Sequence, residues 1–388
     1  MGVATATRSA HPAFPSNLLQ RKLLATAVAS ACALPAAALA QVPSWIQIYG
    51  RANVTYERIT TKNSSSTAVQ PNQSNWDLVD NSSRIGFRGN KDLGSGLTGL
   101  FQMESRVRLD KGAGNLTGRD SYAGLAGSYG TVRLGRTIGP VYYATYDYIS
   151  MHNHDTGTSA DALLAPTVYG RQGFMNRTVW YTSPKLGGFT VDVAHSLLDA
   201  NRVVGDSQPR YLGLVGSYDQ GPLHLAASYA NTKNSVDLGG GTANDDKAYT
   251  LGGLYDFKKF VVGALIESAK SNTLTGGDAK RNYFRISGML PVGKNEFHVN
   301  FGTVNHGIGG IDSGPSTSSD GAKQWTLAYN YNITKETKIY GFYTRIHNDT
   351  NGMYGDSNNL TSSNFNTNVK QVPGLEISSI AIGVRHNF

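Results

Sequence analysis

Residues 379–388 read SIAIGVRHNF, and their parity decides the fold. Ile380, Ile382, Val384 and Phe388 fall on one face with His386, while Ser379, Ala381, Gly383, Arg385 and Asn387 fall on the other. That is the period of a β-strand standing between two different environments. A terminal strand normally frays. An apolar face kept to the last residue is expected where that strand is paired on both sides and its outer face is covered.

Working outward, the same alternation recurs along the chain. In Trp45 to Tyr56, Ile46, Ile48, Gly50, Ala52, Val54 and Tyr56 oppose Gln47, Tyr49, Arg51, Asn53 and Thr55. Phe101, Met103 and Val107 oppose Gln102, Glu104, Arg106 and Arg108, and Trp325, Leu327, Tyr329 and Tyr331 oppose Gln324, Thr326, Ala328 and Asn330. The pattern predicts sixteen strands, near 45–59, 83–90, 98–108, 119–127, 131–137, 177–183, 189–197, 211–218, 223–231, 248–256, 260–268, 281–289, 296–304, 324–332, 337–346 and 375–388. Tight turns at GSYG 127, SPKLGG 183, DQGP 219, DFKK 256, PVGKN 291 and NITKE 332 alternate with long polar stretches near 60–80, 138–175, 232–247, 305–323 and 347–374.

An even number of amphipathic strands, with short turns at one end and long loops at the other, is the organisation of an outer-membrane β-barrel. In hydrocarbon every backbone N–H and C=O must be paired within the protein, so a sheet can span only by closing on itself. The strand ending at Phe388 is therefore expected to pair with the strand that starts at Trp45. A soluble β-sandwich would share the alternation, but not the turn asymmetry or the 21 tyrosines. No apolar run is long enough for a spanning helix after residue 40; Phe260 to Ile266 is about the best.

The first forty residues read as an export signal. Arg21 and Lys22 precede an alanine-rich stretch ending in Ala38-Leu39-Ala40, so residues 1–40 are expected to be removed and 41–388 to form the barrel. Two other readings of this stretch, a membrane anchor and a lipid attachment at Cys32, fit less well because of Pro35 and the alanine three before the cysteine. Cleavage after Ala40 would also remove the one cysteine, leaving neither a disulfide nor a thiolate metal site. The chain carries a net charge of +8, and the leader, with three basic and no acidic residues, takes it down to +5. The basic residues are scattered, which argues against nucleic acid as a partner.

SSRIGFRGNKDLGSGLTGLFQMES at 82–105, RDSYAGLAGSYGTVRLGR at 119–136, YTSPKLGGFTVD at 181–192 and the ending GVRHNF resemble the general diffusion porins of β-proteobacteria and Neisseria. The likeness runs over essentially the whole chain after the leader. It departs at Arg51, where a small or apolar residue usually follows the Tyr-Gly pair, and at Trp180, where a basic residue is common. The resemblance implies a sixteen-stranded, homotrimeric, water-filled channel in outer-membrane lipid. It also implies insertion by the barrel assembly machinery, which reads the last strand and its terminal Phe388.

Catalytic or metal chemistry has little support. His152, His154 and Asp155 are of ligand type but sit in a polar stretch, and Gly94-Ser95-Gly96 lacks a nucleophile-elbow pattern and reads as a turn. No catalytic residue, cofactor or metal is expected. Function then rests on lumen charge. By parity Arg84, Arg88, Arg106 and Arg108 point inward beside Glu104, and Arg119 does so by its matching family position. Arg51 and Arg133 are weaker candidates, and Arg171 or Arg177 could flank the loop's return. By the same resemblance residues 138–173, which hold YYATYDY with Asp147, Asp155 and Asp161, fold inward as a constriction loop. The expected function is passive passage of ions and small hydrophilic solutes, weakly favouring anions. The competing readings are a porin selective for phosphate or organic acids and, further off, a barrel hydrolase, a plugged specific transporter or an adhesin.

Overall fold

A computed structural model describes residues 43–388 apart from 65–70, 111–113, 116, 152–155, 164–173, 198–209, 237–242, 273–277, 306–318 and 356–371. Among the described residues there are eighteen strand segments: β1 (Ile46–Lys62), β2 (Gln73–Asp80), β3 (Arg84–Gly94), β4 (Leu97–Val107), β5 (Gly114–Asn115), β6 (Ser121–Gly127), β7 (Gly130–Thr137), β8 (Met175–Thr182), β9 (Phe189–Leu197), β10 (Arg210–Gln220), β11 (Leu223–Val236), β12 (Ala243–Asp256), β13 (Val261–Asn272), β14 (Asp278–Val292), β15 (Asn295–Asn305), β16 (Ala322–Asn332), β17 (Thr337–Asn348) and β18 (Glu376–Asn387). β2 and β3 lie end to end along β1, and β5 and β6 end to end along β4, so the eighteen segments make sixteen antiparallel staves. The last stave meets the first. β18 pairs with β1 from Arg51↔Asn387 to Lys62↔Glu376, which closes the sheet of the described strands on itself.

The alternation in the sequence becomes an outside and an inside. Along β18, Ile380, Ile382 and Val384 are 53%, 61% and 47% exposed, whereas Ala381 between them is 8% exposed. The greasy face points outward, where hydrocarbon covers it, and the polar face lines the interior. Aromatic pairs stand among the outward side chains near the long-loop end, with Tyr56 stacked on Trp76 at 4.8 Å and Trp325 tilted against Tyr343 at 5.2 Å. At the other end Phe257 stacks on Phe260 at 4.6 Å. Amphipathic rings favour these interfaces because one side is apolar and the other wet.

Two expectations need correction. The stretch 60–80, read as a polar connection, contains most of a stave: β1 continues to Lys62 and β2 covers Gln73–Asp80. Its Gln, Asn, Ser and Asp content masks the strand, since only Trp76 and Leu78 mark the outward face. The stretch 232–247 is likewise mostly strand, because β11 and β12 run on to Val236 and back from Ala243. The six tight turns fall where expected. At Gly94-Ser95-Gly96 all three residues have positive φ (84°, 51° and 75°), the left-handed geometry of a tight reversal.

The buried apolar cluster lies inside the barrel rather than between layers. Ile138, Tyr142, Tyr146, Ile149, Ala160 and Leu163, from the long connection between β7 and β8, pack against Leu265, Tyr283, Val304, Ala322, Ile346 and Ile377 of the wall. That connection enters the lumen as a helical turn, Pro140–Tyr142, continued by a π turn, Tyr143–Asp147, and returns through a 3-10 turn, Ala160–Leu163. A barrel of sixteen staves is wide enough for water, and this loop fills part of it.

Candidate functional site

Two buried arginines on one wall hold the loop. Arg281, on β14, donates from Nη1 to the Leu163 carbonyl at 2.8 Å and pairs through Nη2 with Glu267 of β13. Arg285 donates from Nη2 to the Thr158 carbonyl at 2.8 Å and from Nη1 to Gln324 Oε1 at 3.0 Å. Gln324 donates to the Gly157 carbonyl at 3.1 Å, Tyr283 to the Ala160 carbonyl at 3.1 Å, and the Tyr146 hydroxyl to Glu267. Satisfying backbone carbonyls in this way matters because a loop lacks a ladder of its own. At its entry, the Ile138 N–H donates to Asp120 Oδ1 at 3.0 Å and the Tyr143 hydroxyl donates to the same carboxylate. Burial, then the Asp120 charge, raises the Tyr143 pKa well above the usual phenol value, so its hydroxyl remains a donor.

Across from the loop, β1, β3, β4 and β18 present a basic surface. Arg51 is directly opposite Arg84, and Arg84 directly opposite Arg106, so three guanidinium groups stand in one cross-strand row. Like charges so placed destabilise a sheet unless something else uses them. Glu104 offsets part of the charge. It lies 3.6 Å from Arg84 Nη1, pairs with Arg119 Nε, and accepts from the Tyr49 hydroxyl at 2.9 Å. Arg51 Nε donates to Asn387 Oδ1 at 3.1 Å, and Arg88 Nε to Gln47 Oε1 at 2.9 Å with its guanidinium 4.7 Å from the centre of the Tyr49 ring. Arg119 and Arg136 each lie 5.2 Å from the centre of the Phe174 ring.

Between loop and wall is a cavity of about 850 Å³ lined by Arg51, Arg84, Arg88, Arg106, Arg119, Arg136 and Arg385, with Glu104 and Asp147 as the acids among its lining. Among the described residues of this lining, seven basic side chains face two acidic ones. An anion in this space meets a net attraction, and planar guanidinium forks suit carboxylate and phosphate oxygens.

Arg84, Arg88, Glu104, Arg106, Arg119 and Asp147 all stand in the lining of this cavity. Asp155, with His152, His154 and Arg171, lies outside the described residues. Asp161 is not a pore acid: it is 1% exposed and accepts from the Tyr142 hydroxyl at 2.7 Å. Arg133 stacks over Trp180 at 4.6 Å and donates to Thr182 Oγ1 at 3.0 Å, away from the cavity lining. Arg108 is paired with Asp110, and Arg177 shares the outward parity of Val179 instead of flanking the loop. Arg136 and Arg385 join the site unforeseen. Arg385 lay on the inward face of the terminal strand, whereas Arg136 follows a register shift between Gly135 and Thr137 that turns an outward position inward. The described residues contain no cluster of three or more His, Cys, Asp or Glu able to hold a metal.

Comparison with known proteins agrees with this architecture. The family model described as Gram-negative porin matches residues 25–351. Outer membrane porin protein 32 of Delftia acidovorans is 30% identical over 79% of this chain and 84% of its own. An outer membrane porin protein of Bordetella pertussis is 24% identical over 94% of this chain and 99% of its own. Among solved structures, the anion-selective porin from Comamonas acidovorans superposes with a TM-score of 0.71 at 25% identity, covering 88% of this chain and 99% of that one. With its closed barrel, its inward loop and these relatives, the chain belongs to the Gram-negative porin family and forms a channel in the outer membrane.

Proposed function

We propose that this channel passes ions and small hydrophilic solutes passively, with a weak preference for anions set by the arginine wall facing the loop. One observation carries the reading: among the described residues, seven arginines and two acidic side chains share the lining of the 850 Å³ cavity. Two unit charges about 6 Å apart in water interact by roughly 0.7 kcal/mol, so two or three aligned arginines give an anion about 1–2 kcal/mol before screening. That is a preference, not exclusion. The anion-selective character of the Comamonas acidovorans porin supports the same sign. The test is the reversal potential of the purified protein in a planar bilayer under a KCl gradient.

A second reading, a porin selective for phosphate or organic acids, is favoured by the Arg51, Arg84 and Arg106 row, each of whose guanidinium forks suits bidentate oxygen contacts. Under that reading conductance in phosphate saturates at lower concentration than in chloride. Equal linear dependence on both salts returns the function to general diffusion. Of the remaining expectations, residues 1–40 act as a cleaved leader, so mass spectrometry of the mature chain finds Gln41 first; an acylated Cys32 there contradicts it. Assembly is homotrimeric, read by cross-linking of the unheated protein.

A further inference from the structure

His224, the second residue of β11, points into the barrel just after the short turn from β10 and is 4% exposed. Three groups surround its ring. Asp219, directly opposite it on β10, places Oδ1 2.6 Å from Nδ1. The carbonyl of Ala144, in the π turn of the inward loop, lies 2.9 Å from Nε2. The Tyr148 ring stacks on the imidazole, with 3.6 Å between ring centres and 10° between planes. Its strand partner on β12 is Leu254, which is apolar.

Both ring nitrogens thus face acceptors. A carbonyl oxygen only accepts, and so does an ionised carboxylate. A neutral imidazole carries one N–H, so it donates to one of these groups and sets a lone pair against the other; only the imidazolium donates to both. The Asp219 carboxylate and the face of the Tyr148 ring favour the same cationic form, by ion pairing and by cation–π attraction. Of the other ionisable groups on the elements packed here, Asp256 at the foot of β12 accepts from the Lys258 N–H at 2.6 Å, and Asp147 of the loop lines the lumen cavity. Burial, then the Asp219 charge, raises the Tyr148 pKa above the usual phenol value, so this ring stays uncharged in the range where a histidine titrates.

We infer that His224 is a protonation-controlled latch on the constriction loop. As the imidazolium it ties the Ala144 carbonyl to β10 and β11; on losing a proton it gives up one of its two bonds. The proton leaves by way of Asp219, whose side chain is 37% exposed and open to water. The latch complements the contacts already described. Arg281, Arg285 and Gln324 hold the returning limb of the loop, at Leu163, Thr158 and Gly157, whereas His224 grips the entering limb three residues before Asp147. Acid therefore holds the entering limb in place, and mildly alkaline solution loosens it and the cavity wall that Asp147 forms.

The test is single-channel recording of the purified full-length protein at fixed salt, from about pH 5 to about pH 8, the range in which histidine changes charge. Open-channel current noise should be low in acid and rise with pH through one midpoint. His224→Gln can still donate to Ala144 but cannot titrate, so its noise should lose that dependence. Asp219→Asn keeps the shape of the partner and removes the charge that favours the imidazolium, so the midpoint should move toward acid by about one pH unit or more. A contact of purely structural value would leave the midpoint where it is. If His224→Gln inserts poorly, Asp219→Asn decides alone, since that side chain is partly exposed beside the turn. Wild-type noise that is flat with pH, a dependence that survives His224→Gln unchanged, or a midpoint unmoved in Asp219→Asn each overturns the inference.

Discussion

Gly50 and Phe388 exchange two backbone hydrogen bonds, Gly50 N–H to the Phe388 carbonyl at 2.9 Å and Phe388 N–H to the Gly50 carbonyl at 3.1 Å. The Phe388 ring lies so close over Gly50 that a Cβ there would come within 2.3 Å of its Cζ. First and last staves are thus locked where the sheet closes. Deleting Phe388 should lower the amount of protein in the outer membrane severely, while barrels that do insert melt only slightly lower. Burying one such ring contributes about 1.5–3 kcal/mol. Equal outer-membrane amounts of truncated and full-length chain, by quantitative immunoblot, would contradict this.

Gly50→Val forces the Phe388 ring aside and should reproduce part of that insertion defect. Gly50→Ala should be milder than Gly50→Val but not silent, since its methyl meets the Phe388 ring and also the Arg84 backbone carbonyl, 2.8 Å from a Cβ at this position. The readout is the ratio of membrane-inserted to soluble chain; indifference to both changes would show that the contact does not matter for closure.

The Arg281–Glu267 pair is buried inside the barrel, with side chains 1% and 0% exposed. Breaking such a pair leaves an uncompensated charge at a cost of about 3–5 kcal/mol. Arg281→Gln should therefore loosen the loop through its Leu163 contact, raising single-channel conductance and its noise. The double change Arg281→Gln/Glu267→Gln should return noise toward wild type, because no charge is stranded. A single variant with unaltered traces would mean that the loop is held without this pair.

Glu104 offsets Arg84 and Arg119. Glu104→Gln should strengthen the anion preference by about threefold at low salt, the effect of one charge about 6 Å from the path in water. A shift of the reversal potential in the cation direction would contradict the placement of Glu104 in the pore.

What the sequence made legible follows from where parity applies. In regular strands the face of a residue can be read directly, and the inward parity of Arg84, Arg88, Glu104 and Arg106 coincides with positions in the cavity lining. Parity fails at the irregularity after Gly135, which brings Arg136 to the cavity, whereas Arg133, a weaker candidate in the regular part of the strand, packs over Trp180 instead. In the loop there is no period at all, so nothing distinguished Asp147, which lines the cavity, from Asp161, which is buried against Tyr142. The loop anchors Arg281, Arg285 and Gln324 were invisible for a further reason. They occupy ordinary inward positions, and what sets them apart is contact with carbonyls more than a hundred residues away.

The central claim is that the arginine wall gives the pore a weak anion preference. Its most direct measurement is the reversal potential in a planar bilayer under a KCl gradient, for the wild type and for Arg84→Ala and Arg119→Ala, at low and high salt. The Debye length falls from about 10 Å at 0.1 M to about 3 Å at 1 M, so the preference should be clear at low salt and shrink as salt rises. Each substitution should move the potential toward cations with conductance retained. A wild-type channel that favours cations at low salt, or substitutions that leave the potential unmoved, would contradict the account.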